Sequence, residues 1–255
     1  MSDAKTPRSS RRAFLGAALT SVGVAGLSIA PGIRLIEIAG ASPGSRAPGE
    51  AASNKIRWGM LIDTTRCATD CTQCASACAK ENAIAPGSGR PEQSSQWLRK
   101  IELKEVRTGR AISLPMMCQH CANPPCVDVC PTGASFKRAD GIVLVDRHIC
   151  IGCRYCMMAC PYKARSFVHE ALTEQNREVP RGKGCVEGCT MCVQRVDRGL
   201  QPACVEACQT TGHGAMVFGD LNDATSEIAK RVATVASTQV RADLRLDPAM
   251  RYQGI

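Results

Sequence analysis

The sequence predicts an α+β fold assembled from small repeated units of strand, cysteine loop, short helix and returning strand. Three observations predict it. Seventeen cysteines stand in a chain of 255 residues that has only four Phe, three Tyr and two Trp, so staples of another kind must replace part of a conventional core. Sixteen of those cysteines fall into four groups of four. The flanks of the groups also repeat: "GMLIDTTRC" (59–67) and "GIVLVDRHIC" (141–150) each place an apolar strand and then Asp-x-x-x-Cys ahead of a group, through Asp63 and Asp146.

The first element is a targeting segment. Ser10-Arg11-Arg12-Ala13-Phe14-Leu15 precedes a mild apolar stretch from Ala13 to Ala30, closed by Pro31. A charged start and a short apolar run are the parts of a signal peptide, and the paired arginines resemble the twin-arginine (Tat) export signal in particular. The run is barely long enough to span a bilayer and is diluted by Gly16, Thr20, Ser21, Gly23, Gly26 and Ser28, so that retention as an uncleaved membrane anchor is the lesser alternative. Ala39-Gly40-Ala41 offers small residues for cleavage, which sets 1–41 as signal, Ser42 as the mature start and 42–55 as linker. Resemblance to this signal implies export of an already folded protein and a periplasmic location, peripheral to the membrane through partner subunits. No apolar run after Pro31 is long enough to span a bilayer.

The formal charge of +9 suggests nucleic acid until it is corrected. Residues 1–41 carry five basic and two acidic side chains, a net +3, which leaves +6 for the rest. A four-iron cluster with four thiolates carries about −2, so four of them turn +6 into about −2. No basic–aromatic pattern supports nucleic acid either.

The cysteine groups come next. Group one is Cys67, Cys71, Cys74 and Cys78; group two is Cys118, Cys121, Cys126 and Cys130; group three is Cys150, Cys153, Cys156 and Cys160; group four is Cys189, Cys192, Cys204 and Cys208, with Cys185 just upstream. "CIGCRYCMMACP" (150–161) fits the bacterial ferredoxin run C-x2-C-x2-C-x3-C-P. Three thiolates two residues apart wrap one cluster, and loop N–H groups face its sulfides. The fourth cysteine is too far along to join them, proline turns the chain away, and that thiolate reaches a second cluster. "CPTGASF" (130–136) and "CPYKARSF" (160–167) both follow a fourth cysteine in this way. The fold expected is therefore a set of tandem bacterial-ferredoxin-like 4Fe-4S modules with loop and hairpin insertions.

Three other readings compete. Zinc sites use well-separated Cys pairs, not runs of four ending in Cys-Pro. A disulfide framework suits an exported chain but does not explain regular spacing beside a Tat-like signal. Haem c is excluded because C-x-x-C-H does not occur.

Between groups one and two, "APGSGRPEQSS" (85–95) reads as a loop and "QWLRKIELKEVRTGRAISLP" (96–115) as a hairpin turning near Thr108-Gly109. After the cluster region (56–221), residues 222–255 form a helix capped by Asn222 or Asp223 and a tail, "LDPAMRYQGI", with no core pattern. Packing of that tail against the body is the plain reading; a docking strap for a partner is the sharper one. His120 and His148 lie in or beside cluster loops, where a hydrogen bond can tune a cluster, and Tyr162 and Met157 serve as shielding.

The order of the groups, including Cys189-x2-Cys192-x11-Cys204-x3-Cys208, resembles the four-cluster iron–sulfur subunits of bacterial respiratory complexes, of dimethyl sulfoxide and polysulfide reductase type. "CQHCANPPCVDVCPTGA" is the most specific piece, and "PACVEAC", "VFGDLND" and the export signal make the chain most similar to the DsrO-type subunits of DsrMKJOP complexes. The resemblance implies four 4Fe-4S clusters. Two inner ones take Cys118, Cys121 and Cys126 with Cys160, and Cys150, Cys153 and Cys156 with Cys130. Two outer ones take Cys67, Cys71 and Cys74 with Cys208, and Cys189, Cys192 and Cys204 with Cys78. The chain departs from the pattern at the x3 gap between Cys67 and Cys71 and in lacking proline after Cys78 and Cys208.

What the resemblance implies is an electron-transfer subunit with no catalytic residue and no small-molecule substrate. Its partners are an NrfD-like quinone-interacting membrane subunit (DsrP-like) and a multihaem cytochrome c (DsrJ-like), in dissimilatory sulfur metabolism. Alternatives are another exported respiratory oxidoreductase (polysulfide or tetrathionate reductase, nitrite reduction, hydrogenase) or an enzyme using an open outer cluster. Cys185 is the spare thiol, although Cys185-x3-Cys189-x2-Cys192 repeats the spacing of group one and leaves it open as a ligand.

Overall fold

A computed structural model describes residues 46–47, 49–85, 90 and 93–255. The export signal, its cleavage site and part of the 85–95 loop lie outside the described residues.

The cysteine groups are joined by short antiparallel pairings that close into a ring. The strand leaving each group pairs with the strand entering the next. Thus β2 (Leu98–Lys104) pairs with β3 (Ala111–Met117), β4 (Ser135–Lys137) with β5 (Val143–Val145), and β6 (Arg165–Phe167) with β7 (Val186–Gly188). β8 (Met216–Asp220), leaving group four, returns to β1 (Trp58–Asp63), which enters group one. Between strands the groups wind into short helices: α1 (Gln73–Glu81), α2 (Pro125–Asp128), α3 (Tyr155–Ala159), α4 (Val193–Val196) and α5 (Ala203–Thr210). α2 carries proline in its first turn, where a missing N–H costs nothing. The mixture of small sheets and helices is α+β, and the hairpin turns at Gly109, whose φ of +72° suits a residue without Cβ.

Cysteines make up much of the core. Cys74, Cys78, Cys121, Cys160, Cys204 and Cys208 are buried together with Met60, Ile62, Trp97, Met117 and Met216. Three-residue strands suffice in such a core because the groups, and not long sheets, fill the middle. Close approaches are built in: a Cβ on Gly152 (φ +70°) would lie 2.3 Å from the carbonyl oxygen of Gly184, so the group-three loop sits directly on that segment.

The C-terminal tail packs against the body, as its plain reading expects, but as core and not as a surface addition. Met250–Gln253 forms β9, parallel to β1 on the side opposite β8, and Met250 and Tyr252 are fully buried. β1 is therefore a central strand, which explains the unbroken burial of Met60, Leu61 and Ile62. Tyr252 donates its hydroxyl to the Pro115 carbonyl at 3.1 Å and accepts from Gln119 Nε2 at 3.1 Å, while Arg57 donates to the Asp247 carboxylate at 2.6 Å. The tail is core, and its packing leaves no free strap. The helix before it, α6 (Glu227–Thr234), is capped not by Asn222 or Asp223 but by Ser226, whose Oγ accepts from Ala229 N at 3.1 Å.

Candidate functional site

Four sets of thiols line up through the molecule. Cys67, Cys71 and Cys74, from the loop and first turn before and in α1, face one void together with Cys208 of α5. Behind it, Cys78 at the far end of α1 has Cys189, Cys192 and Cys204 as its thiol neighbours. Cys118, Cys121 and Cys126 surround a third void with Cys160 from the end of group three. In the fourth set, Cys156 lies within electrostatic reach of Cys130 and packs with Cys150, while Cys153 is exposed.

Contacts between sets string them in a row. Cys204 neighbours Cys74, which links the first set to the second. Cys118 and Cys189 line one shared cavity, linking the second to the third. Cys126 and Cys156 are neighbours, linking the third to the fourth. Nesting along the chain thus does not match position in space. The set of Cys189, expected as an outer one, is interior in the row, and the set of Cys150, expected as an inner one, is terminal. The ring of pairings produces this, because each fourth cysteine is carried back to a different loop from its own.

The donor chemistry fits an iron–sulfur group. All seventeen cysteines are free thiols. Among the described residues no three His, Cys, Asp or Glu side chains close on a single ion; the first and third sets ring voids instead, as a polynuclear cluster needs and a lone zinc does not. Burial pushes Cys78, Cys118 and Cys121 up to about 12 and Cys74 to about 11, with neighbouring thiols adding to the rise. Such thiols keep their protons until a bound metal displaces them. Backbone N–H groups already point at sulfur: Ala215 N to Cys208 Sγ at 3.2 Å, Ser135 N to Cys130 Sγ at 3.3 Å and Met191 N to Cys189 Sγ at 3.4 Å. At Cys130 burial raises the pKa, but hydrogen bonds from Ser135 and Thr132 outweigh it and the net shift is downward.

Three residues around the sets carry no signal that motif reading uses. Lys100 Nζ donates to the carbonyls of Ala68, Thr69 and Cys71 at 2.6, 2.9 and 2.8 Å, so the extra residue between Cys67 and Cys71 is taken up in a loop clamped by one ammonium. Asn82 Nδ2 donates to the Cys78 carbonyl at 2.9 Å. Arg165 Nη2 donates to Cys126 Sγ at 3.1 Å. Its one visible trace in sequence is the extra residue of "CPYKARSF" relative to "CPTGASF".

His120 is buried, and its Nδ1 accepts from Val143 N at 2.9 Å. Burial, then the charge of Arg165, drops it to about 3, so the ring is neutral with its proton on Nε2, which has no partner. His213 borders the first void; His148 donates its backbone N–H to Asp146 Oδ1 at 2.9 Å. Tyr162 borders the third and donates to the Val240 carbonyl at 3.1 Å, and Met157 packs beside Cys156. Cys185 is buried beside Cys150, its Sγ 3.4 Å from the Arg147 carbonyl, next to the fourth set and not to the group-four cysteines. No helix among the described residues is long and apolar enough to cross a membrane.

Comparison with known proteins agrees with this chemistry. Residues 110–221 match the 4Fe-4S dicluster domain. The chain is 42% identical over 272 residues to an Hdr-like menaquinol oxidoreductase iron–sulfur subunit 1 of Archaeoglobus fulgidus, covering 95% of this chain and 97% of that protein. It is 42% identical over 177 residues to a tetrathionate reductase subunit of Salmonella typhimurium (69% and 63% covered). It is 36% identical over 202 residues to the protein NrfC of Escherichia coli (78% and 76% covered).

Proposed function

The chain belongs to the family of iron–sulfur subunits that carry the 4Fe-4S dicluster domain, and from that premise we propose that it is an exported electron-transfer subunit holding four 4Fe-4S clusters. Cys67, Cys71, Cys74 and Cys208 hold the first; Cys78, Cys189, Cys192 and Cys204 the second; Cys118, Cys121, Cys126 and Cys160 the third; Cys130, Cys150, Cys153 and Cys156 the fourth. When bound, each cluster supplies a one-electron carrier. The protein's own part is to space the carriers, exclude water and set their potentials. The observation that carries this reading is the row of four thiol sets.

The two ends of the row are where partners exchange electrons. At one end the fourth set is shallow: Cys153 is exposed, and so are Ile151 (68%), Tyr155 (58%) and Met158 (75%) on the same loop and helix. An NrfD-like, DsrP-like quinone-interacting membrane subunit and a DsrJ-like multihaem cytochrome c are the proposed partners. The relative named for a menaquinol oxidoreductase, similar over almost its whole length, supports a quinone-linked assembly, and we read that assembly as DsrMKJOP-like and engaged in sulfur metabolism. Export follows from the Arg11-Arg12 motif.

Iron and acid-labile sulfide analysis tests the cofactor content. About sixteen irons per chain are expected, four for each cluster, and eight would reduce the proposal to the matched dicluster domain alone. For export, changing Arg11 and Arg12 to lysine should leave brown folded protein in the cytoplasm. Unimpaired appearance of that variant in the periplasm would count against the twin-arginine route.

A further inference from the structure

We propose that Arg165 is a fixed internal cation that holds the potentials of the third and fourth clusters above those they would otherwise have. The inference rests on the cluster reading above and concerns a residue that is not itself a cluster ligand.

Arg165 is the first residue of β6 and is 9% exposed. One nitrogen, Nη2, donates to Cys126 Sγ at 3.1 Å and to Ser135 Oγ at 2.8 Å, while Nη1 is buried with no protein partner. Its leading electrostatic partners are cysteines: Cys126 and Cys118 of the third set and Cys156 of the fourth. A guanidinium stays charged in any protein environment. Burying one without a compensating anion is strongly unfavourable. The anion that balances Arg165 is therefore the pair of thiolate-ligated clusters on its two sides, and its position between Cys126 and Cys156 allows it to act on both.

The internal repeat makes the site asymmetric in the size of its side chains. Ser135 and Arg165 both stand four residues after the proline of their Cys-Pro, and each opens the strand that leaves its group. Two arginines at these positions would crowd one interior point and repel. Here one position carries the cation, and the other carries a small hydroxyl that accepts from it. Because reduction adds negative charge to a cluster, a nearby fixed positive charge favours the reduced form, and net charge and hydrogen bonds to sulfur are among the levers that set cluster potentials.

The test is a potentiometric titration followed by electron paramagnetic resonance on the full chain, purified with its clusters and with whatever partners accompany it, after iron analysis. For Arg165→Gln, the two flanking clusters should become harder to reduce. At the potential where the parent is half reduced, their reduced-to-oxidised ratio should fall tenfold or more, a downward shift of at least about 59 mV for a one-electron couple. Arg165→Lys should recover most of that ratio, and the first and second clusters should not move. Unchanged potentials in Arg165→Gln, an equal shift of all four clusters, or no recovery in Arg165→Lys would overturn the assignment. If Arg165→Gln assembles without those two clusters, the lysine variant decides alone. Parental iron content and a ratio within tenfold of the parent support the role; loss of iron or a tenfold fall overturns it. A parent lacking the third and fourth clusters would instead refute the cluster reading, which iron analysis reveals beforehand.

Discussion

Lys100 Nζ donates to the carbonyl oxygen of Cys71 at 2.8 Å, and the same ammonium holds the carbonyls of Ala68 and Thr69. A hairpin strand thus fastens the cysteine loop that has three residues between its first two cysteines. Hydrogen bonds from a charged donor contribute about 1.5–3 kcal/mol. Lys100→Met should therefore speed chelator-driven iron release from the first cluster by tenfold or more while the others keep parental rates. Equal release from all clusters in parent and variant would show that the clamp is idle.

Crossed ligation has a sharp consequence for single-cysteine variants. Cys160→Ala should abolish the cluster held by Cys118, Cys121 and Cys126, and Cys130→Ala the one held by Cys150, Cys153 and Cys156. Resonance spectra of the two variants distinguish them, since the terminal and interior clusters couple to different numbers of neighbours. Loss of each residue's own group in its place would refute the crossing.

Cys185 should be dispensable. It lies beside Cys150 and the Arg147 carbonyl, and a buried spare thiol packs as a small apolar residue. Cys185→Ala is expected to keep about sixteen irons per chain, whereas Cys189→Ala loses about four. A deficit of four in Cys185→Ala would make it a ligand.

Arg181 and Glu187 form a buried pair at 2.7 Å with side-chain exposures of 4% and 0%. Arg181 also donates to the Ala83 carbonyl at 2.8 Å, tying the segment before β7 to the end of group one. Removing one partner of such a pair costs about 3–5 kcal/mol, while replacing both with apolar side chains is often neutral. Glu187→Ala should lower the thermal midpoint markedly, and Arg181→Met with Glu187→Leu should recover most of the loss. A double variant as unstable as the single one would mean that the pair itself stabilises the fold.

Deletion of residues 248–255 removes Met250 and Tyr252, both fully buried. Each such side chain contributes about 1.5–3 kcal/mol against a total stability of about 5–15 kcal/mol, and β1 loses its parallel neighbour as well. The truncated chain should be largely insoluble or protease-sensitive even when iron is supplied. Parental resistance to proteolysis would show that the tail is a surface addition.

Much of the site is legible because its chemistry is local. Spacing within a group reports which thiols share a loop, and proline after Cys130 and Cys160 reports where the chain turns away. Lys100 and Arg165 are not legible, since a basic residue on a strand is ordinarily solvated and nothing nearby in sequence says that a cysteine loop lies over it. The tail shows why short elements escape. Met-Arg-Tyr-Gln alternates as a half-buried strand should, but four residues are too few to separate a strand from chance.

By itself the sequence determined the ligand chemistry, the repeated strand–loop–helix units and the hairpin, because each depends on residues only a few positions apart. Tertiary structure alone decided the order of the four thiol sets, the burial of the tail beside β1 and the placement of Arg165 between Cys126 and Cys156. These depend on which strand the ring of pairings brings back to which loop. The energy of that closure is spread over contacts between residues distant in the chain, and no local spacing encodes it.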